Sequence, residues 1–458
     1  MAQGESFLER CFKLKEHGTN VKTEVMAGVI TFLAMVYILA VNPSILSASG
    51  MEPGAVFTAT AVSACFATLF MAFYANYPIA LASGMGLNAY FAYSVCIPLA
   101  KEGINDPWTV ALTAVLVEGL IFILLTLCKF REALVNDVPT NLKNGIAVGI
   151  GLFIALVGLE NGGVVVADAA TLVNLGSFAS PSMALAVIGL IACAIMYNYR
   201  VPGYILWSIL GTWVLGMIAQ LIGWYQVDVA AGVYSLFPDF SSGINLQAPY
   251  LFAFNWEFVA NHLVDFAVIV FSFLFVDLFD TAGTLIGVAS KGNLLDKEGR
   301  LPRAKEALMA DAVGTVFGAA VGTSTCTSYV ESSAGVAAGG RTGLTSLTTG
   351  ILFAVALVLS PVFLAIPSFA TVPALVWVGL LMMSSVTKMD FSEDPAGAIG
   401  GFLAIIMMPF TYSIANGIMF GILAFVIVRV CQGRAKDVHW VMWIAAALFA
   451  LRIITLVV

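Results

Sequence analysis

A chain of 458 residues that is 60% hydrophobic and 10% charged, with a mean hydropathy of +0.97, lies outside the soluble range, where about a quarter of residues carry charge. That composition excludes a soluble enzyme or a nucleic-acid-binding protein and predicts an all-α polytopic membrane protein. The net charge of −7 marks no binding surface, because acids and bases occupy different stretches.

The N-terminus, MAQGESFLERCFKLKEHGTN, is polar and shows no apolar stretch ending in a small-residue cleavage site, so the first span is expected to stay in the mature protein. Apolar runs of spanning length then recur at 25–41, 54–75, 108–128, 183–198, 203–223, 263–279, 344–366 and 415–430. Folding the chain into fourteen spans with residues 1–20 in the cytoplasm places every Lys and Arg inside except Lys101 and Arg452. Lys129, Arg131, Lys297 and Arg300 belong to that inner set. The stretch 434–458, which contains Arg452, is expected to lie as an apolar helix on the inner membrane surface.

The polar and aromatic segment 224–260 divides the chain into two halves of seven spans. An odd number per half inverts the second half relative to the first, which places a binding site near the membrane midplane. The third and tenth segments are both interrupted. PIALASGMGLNAYFAYSV (78–95) is broken at Gly84 and Gly86, and GTSTCTSYVESSAGVAAGGRTG (322–343) by a Ser/Thr run that includes Thr327 and Ser328. Small residues at ordinary helix contacts would explain one such segment. Two in matching positions, one with Asn88 and the other with Glu331, point to unwound backbone lining a cavity. The connector 290–307, with mixed charge, reads as a cytoplasmic loop.

The chemistry then falls to carboxylates. Seven dispersed cysteines form no C-x-x-C pair and the three histidines lie far apart, so no metal centre, disulfide framework or histidine relay is expected. The eighth span (262–290) carries Asp277 and Asp280 three residues apart on one helical face. An ionised acid there costs several kcal/mol unless it faces a cavity or polar network, and two neighbouring buried acids favour holding a proton between them. The alternative is a protonated Asp bonded to a neighbouring helix. Glu331 stands at the start of the short helix after the second interruption, with Ser332 and Ser333 beside it; capping its own helix is the alternative there. Asn88 offers a donor and an acceptor to a ligand edge, or bridges two helices. Glu118 and Asp311 read as packing or interface residues. Phe91, Tyr90 and Phe279 are candidates to stack on a flat ring. Acids, an amide and aromatics suit a flat neutral heterocycle with N–H donors and oppose an anion.

Four stretches carry a family resemblance: GMGLNAYFAY (84–93), LFDTAGTLIGVA (278–289), SYVESSAGVAAGGRTGLT (328–345) and the N-terminal HGT-x-V-x-TE-x-x-AG (17–28). Together they resemble the adenine/guanine/hypoxanthine permeases, the AzgA-like branch of the nucleobase–cation symporter family, over nearly the whole chain. The resemblance implies a seven-plus-seven inverted repeat. Its core domain is spans 1–4 (21–130) and 8–11 (261–368), and its gate domain is spans 5–7 (131–223) and 12–14 (369–433), with substrate between them and a homodimer in the membrane. It also implies that Asp277 and Glu331 contact a purine, that Asn88 shapes the site, and that Asp280 serves translocation and protonation. The N-A-Y-F element leans toward adenine or a broad purine range. The expected function is import of purine bases by proton symport across a bacterial cytoplasmic membrane, with no cofactor. A uracil or xanthine carrier of the same fold and a small-solute channel are the rivals, and an enzyme is not expected.

Overall fold

The computed structural model describes residues 7–127, 139–168, 171–227, 235–238, 240, 246–296 and 301–457. Lys129, Arg131, Lys297 and Arg300 lie outside them, as do the side chains of Phe279 and Arg452. Nine helices among the described residues are long and apolar enough to cross a membrane.

Helix α1 (Val21–Met35) starts where Asn20 accepts the Thr23 N–H at 3.0 Å. It breaks at Val36 and Tyr37 and resumes as α2 (Ile38–Leu46), which contains Pro43. Val36 and Tyr37 keep helical φ and ψ, so the two helices form one span. α3 (Pro53–Phe70) opens on a proline, where the missing N–H costs nothing. The third segment is not a continuous helix. It contains a strand, β1 (Leu81–Ser83), then a five-residue helix, α4 (Met85–Ala89), which continues into a wider π turn over Tyr90–Cys96. α5 (Pro107–Leu127) and α6 (Thr140–Asn161) follow.

After α6 comes an exposed hairpin, β2 (Val165–Asp168) with β3 (Leu172–Leu175), which the hydrophobic pattern did not predict. Then come α7 (Pro181–Asn198) and α8 (Tyr204–Leu221). In the second half, α9 (Leu263–Lys291) and α10 (Ala304–Val321) lead to a strand, β4 (Cys326–Ser328), and a six-residue helix, α11 (Ser332–Ala337). The chain ends with α12 (Gly343–Ala356), α13 (Ser368–Met383), α14 (Pro395–Phe410), α15 (Ile414–Cys431) and α16 (Trp440–Val457).

The helices pack in two groups. α1, α3, α5, α9, α10 and α12 contact one another, whereas α6 packs on α13, α14 and α15, and α7 on α8 and α13. Small residues allow the second group to close: a Cβ on Gly145 would meet the Gly401 backbone, and one on Gly151 would lie 2.9 Å from Gly379 O. On α16, Met442, Ala445 and Phe449 are buried against α9 and α15, with Phe449 5.7 Å from Phe271. Its outer stripe of Trp440, Trp443, Ile444 and Ile454 is apolar too.

Candidate functional site

At the centre lies extended backbone, which a bilayer tolerates only inside protein. β1 and β4 run antiparallel, pairing Leu81 with Ser328, Ala82 with Thr327 and Ser83 with Cys326. Two further bonds lengthen the ladder, Tyr329 N–H to Ala80 O and Gly84 N–H to Thr325 O, each 3.0 Å. A two-stranded sheet has two open edges whose bare N–H and C=O groups need partners. Side chains of the surrounding helices supply them. Thr68 of α3 donates to Leu81 O and accepts from Leu81 N–H, both at 2.9 Å. On the other edge, Thr315 donates to Cys326 O at 3.1 Å and Asp311 accepts from Ser328 N–H at 3.2 Å. Glu118 accepts from the Thr325 hydroxyl at 2.9 Å. Asp311 and Glu118 therefore brace β4, in line with the packing role expected for them.

The interruptions work by close approach. Gly84 has φ −72°, which any residue adopts, but a Cβ on it would lie 2.7 Å from Thr327 Oγ1. A Cβ on Gly86 would lie 2.9 Å from Ile150 Cγ2 of α6. Asn88 is fully buried and its carboxamide oxygen accepts from Ser83 Oγ at 2.8 Å and from Ser324 Oγ. It ties the residue ending β1 to the residue two before β4, so the acceptor expected to face a ligand is already engaged. Ser332 Oγ accepts the Ala80 N–H at 3.0 Å and likewise braces the crossing. Phe91 and Tyr90 are buried edge-on to Phe273 of α9, at 6.4 and 4.6 Å.

The acids gather around this crossing from α9 and α11. Asp280 hydrogen-bonds the Thr327 side chain and feels the charges of Glu331 and Asp311. Asp277, one turn away and fully buried, accepts from Thr281 Oγ1 at 2.8 Å, and the same hydroxyl lies 3.0 Å from Asp311 Oδ1. One hydroxyl hydrogen thus serves two carboxylates. Ser328 Oγ is buried with no hydrogen-bond partner among the described residues. Asp277, Asp280, Glu331, Thr327, Ser328, Gly84 and Asn88 therefore converge on one strand pair, while Phe91 belongs to the packing behind it.

Sequence reasoning missed Tyr37, whose hydroxyl donates to Glu331 Oε1 at 2.6 Å. Nothing in the sequence of the first span says which of its side chains faces the acids. It also missed Thr68, whose pairing with β1 needs the fold to exist. Among the described residues the buried polar set contains Glu24, Glu118, Asp277 and Asp311 and no Lys or Arg.

The Permease family model (Xan_ur_permease) matches residues 22–420. The chain is similar to the adenine permease AdeP of Escherichia coli (strain K12), 39% identical over 98% of this chain and 97% of the relative. It is 42% identical to the guanine/hypoxanthine permease PbuO of Bacillus subtilis (strain 168), over 97% of this chain and 100% of the relative. Among solved structures, the transmembrane domain of a cyanobacterial bicarbonate transporter, BicA, superposes with a TM-score of 0.63 at 18% identity, covering 87% of this chain and 97% of that domain. That last likeness concerns the fold, whereas the family match and the end-to-end relatives concern descent: the chain belongs to the permease family, in the branch that holds adenine and guanine/hypoxanthine permeases.

Proposed function

We propose that this permease imports purine nucleobases by proton symport, binding the base beside the β1–β4 crossing. The observation that carries the reading is the convergence of the partly buried Glu331 and Asp280 on that crossing, beside the buried acids Asp277 and Asp311, with no Lys or Arg in the buried polar set among the described residues. Such a site accepts hydrogen bonds from a neutral ring and repels an anion. The named substrates of AdeP, adenine, and of PbuO, guanine and hypoxanthine, support the same class. The BicA-like fold does not argue for an anion, because folds host unrelated substrates.

The reading takes α9, α10, α14 and the two interrupted segments as spans beside the nine long apolar helices, seven before the 224–260 connector and seven after it, with α16 left outside the repeat. In this reading one packing group is the core, which carries the strands and acids, and the other is the gate; the contacts within each group support it. In the mechanism we propose, Glu331 and Asp277 accept N–H groups of the base and Asn88 holds the strand pair that shapes the site. A proton taken by Asp280 offsets the local charge, so the loaded core can move against the gate through a low-dielectric interface. The N-terminus would lie in the cytoplasm and the protein would work as a homodimer in the cytoplasmic membrane.

Uptake of labelled adenine, guanine, hypoxanthine, xanthine and uracil into cells lacking their own carriers tests this. Saturable accumulation of a purine that collapses with a protonophore is expected. Accumulation that survives the protonophore and follows a sodium gradient overturns the coupling. Uptake of uracil or xanthine alone overturns the substrate class, and equilibration without accumulation makes the protein a channel.

A further inference from the structure

The gate turns a cluster of aromatic side chains toward the acid on α11. Tyr37, whose hydroxyl donates to Glu331 Oε1 at 2.6 Å, stands between α1 and α2. Two gate helices touch the first span on either side of it, α8 against α1 and α13 against α2. The α8 contact is close, because a Cβ on Gly203, the residue before that helix, would lie 3.2 Å from Leu33 O. Tyr204, the first residue of α8, feels the charge of Glu331, and its ring centroid lies 5.9 Å from that of Trp377 on α13. Tyr197 on α7 completes the cluster, 5.3 Å from Tyr204 and 5.0 Å from Trp377.

Trp377 is 7% exposed, yet its indole N–H has no hydrogen-bond partner among the described residues; it lies near enough to the Tyr204 hydroxyl to act on it without closing a bond. An indole nitrogen only donates, and a buried one ordinarily finds an acceptor. The core acids have the opposite chemistry. Ionised Glu331 and Asp277 only accept, so they serve the N–H groups of a base and leave its bare ring nitrogens without donors. Adenine, guanine and hypoxanthine all carry both kinds of group.

We propose that Trp377 is a substrate contact on the gate: its indole N–H donates to a bare ring nitrogen of the purine whose N–H groups the core acids accept. A base seated this way bonds both packing groups at once, and a ligand with C–H in place of that nitrogen leaves a buried N–H unmet.

This rests on the reading that Glu331 contacts the base, and one set of binding measurements separates the two. Dissociation constants are measured on purified wild type, Trp377→Phe and Glu331→Gln. The ligands are adenine or hypoxanthine, whichever binds wild type more tightly, and its deaza analogues, in each of which one ring nitrogen is replaced by C–H. In wild type at least one analogue should bind about tenfold more weakly than the parent base, the size of one hydrogen bond, and in Trp377→Phe that gap should close to within about threefold. Equal gaps in the two proteins, including a parallel loss of affinity for every ligand, overturn the inference and leave Trp377 a packing residue. Should Trp377→Phe fail to fold, wild type decides alone: analogues that all bind within about threefold of the parent show that no donor meets a bare nitrogen and overturn it. Glu331→Gln with the wild-type constant for the parent base sinks the underlying reading instead, whatever Trp377→Phe does.

Discussion

Replacing Glu24 by alanine removes the acceptor of four hydrogen bonds at once. The residue is fully buried on α1; its Oε1 accepts the Arg341 N–H at 2.8 Å, and its Oε2 accepts the Thr342 and Thr345 N–H groups at 3.2 Å each and the Thr345 hydroxyl at 2.6 Å. Those N–H groups lie at the start of α12, where backbone dipoles favour a negative charge. The Thr345 hydroxyl has the Glu24 carbonyl at 3.3 Å as a second acceptor and the Thr345 N–H has the Thr342 carbonyl at 3.2 Å, so alanine leaves two backbone donors, those of Arg341 and Thr342, stranded. At about 1–3 kcal/mol per stranded donor, the loss is about 2–6 kcal/mol. That is a large fraction of a folding stability of roughly 5–15 kcal/mol. Glu24→Gln can keep its carbonyl at the Oε2 position but sets an amide donor against Arg341 N–H, losing one bond, about 1–3 kcal/mol. Melting of the purified protein in detergent, followed with membrane abundance, should rank wild type above Gln and Gln above Ala. An alanine variant that melts and accumulates like wild type refutes the reasoning that Glu24 holds the segment following α11.

Asp277→Ala should abolish purine uptake with little loss of folded protein in the membrane, checked by uptake per unit of detergent-extracted carrier; normal transport would remove Asp277 from the site. Gly335→Ala places a methyl against Thr31 Oγ1 and 2.5 Å from Ala27 O. Because a backbone carbonyl cannot step aside, the destabilisation should reach about 1–3 kcal/mol and Thr31→Ser should not rescue it, as read from melting temperature. Asn88→Ala removes the oxygen that the Ser83 and Ser324 hydroxyls share and leaves them to bond each other at 2.9 Å, loosening the crossing, so transport should fall while Phe91→Leu, a change in the packing behind, costs far less activity.

The membrane class and the two interrupted segments were legible in the sequence, because hydrophobic length and glycine or Ser/Thr breaks are local signals that the bilayer enforces. The likeness of GMGLNAYFAY and SYVESSAG to known permeases was legible for the same reason: it is carried by contiguous residues. What those breaks become was settled only by folding. β1 and β4 lie more than 240 residues apart, and neither strand has an edge partner until Thr68, Thr315 and Asp311 close around it. Asn88, readable as a ligand contact, is turned into the crossing by two serines, one of them from the other half of the chain. Tyr37 reaches Glu331 across 294 positions, a pairing that depends on how the first span packs against α11. Local sequence sets where backbone must leave the helix, while the hydrogen bonds that make such backbone tolerable away from water come from distant residues, and only the tertiary structure brings those together.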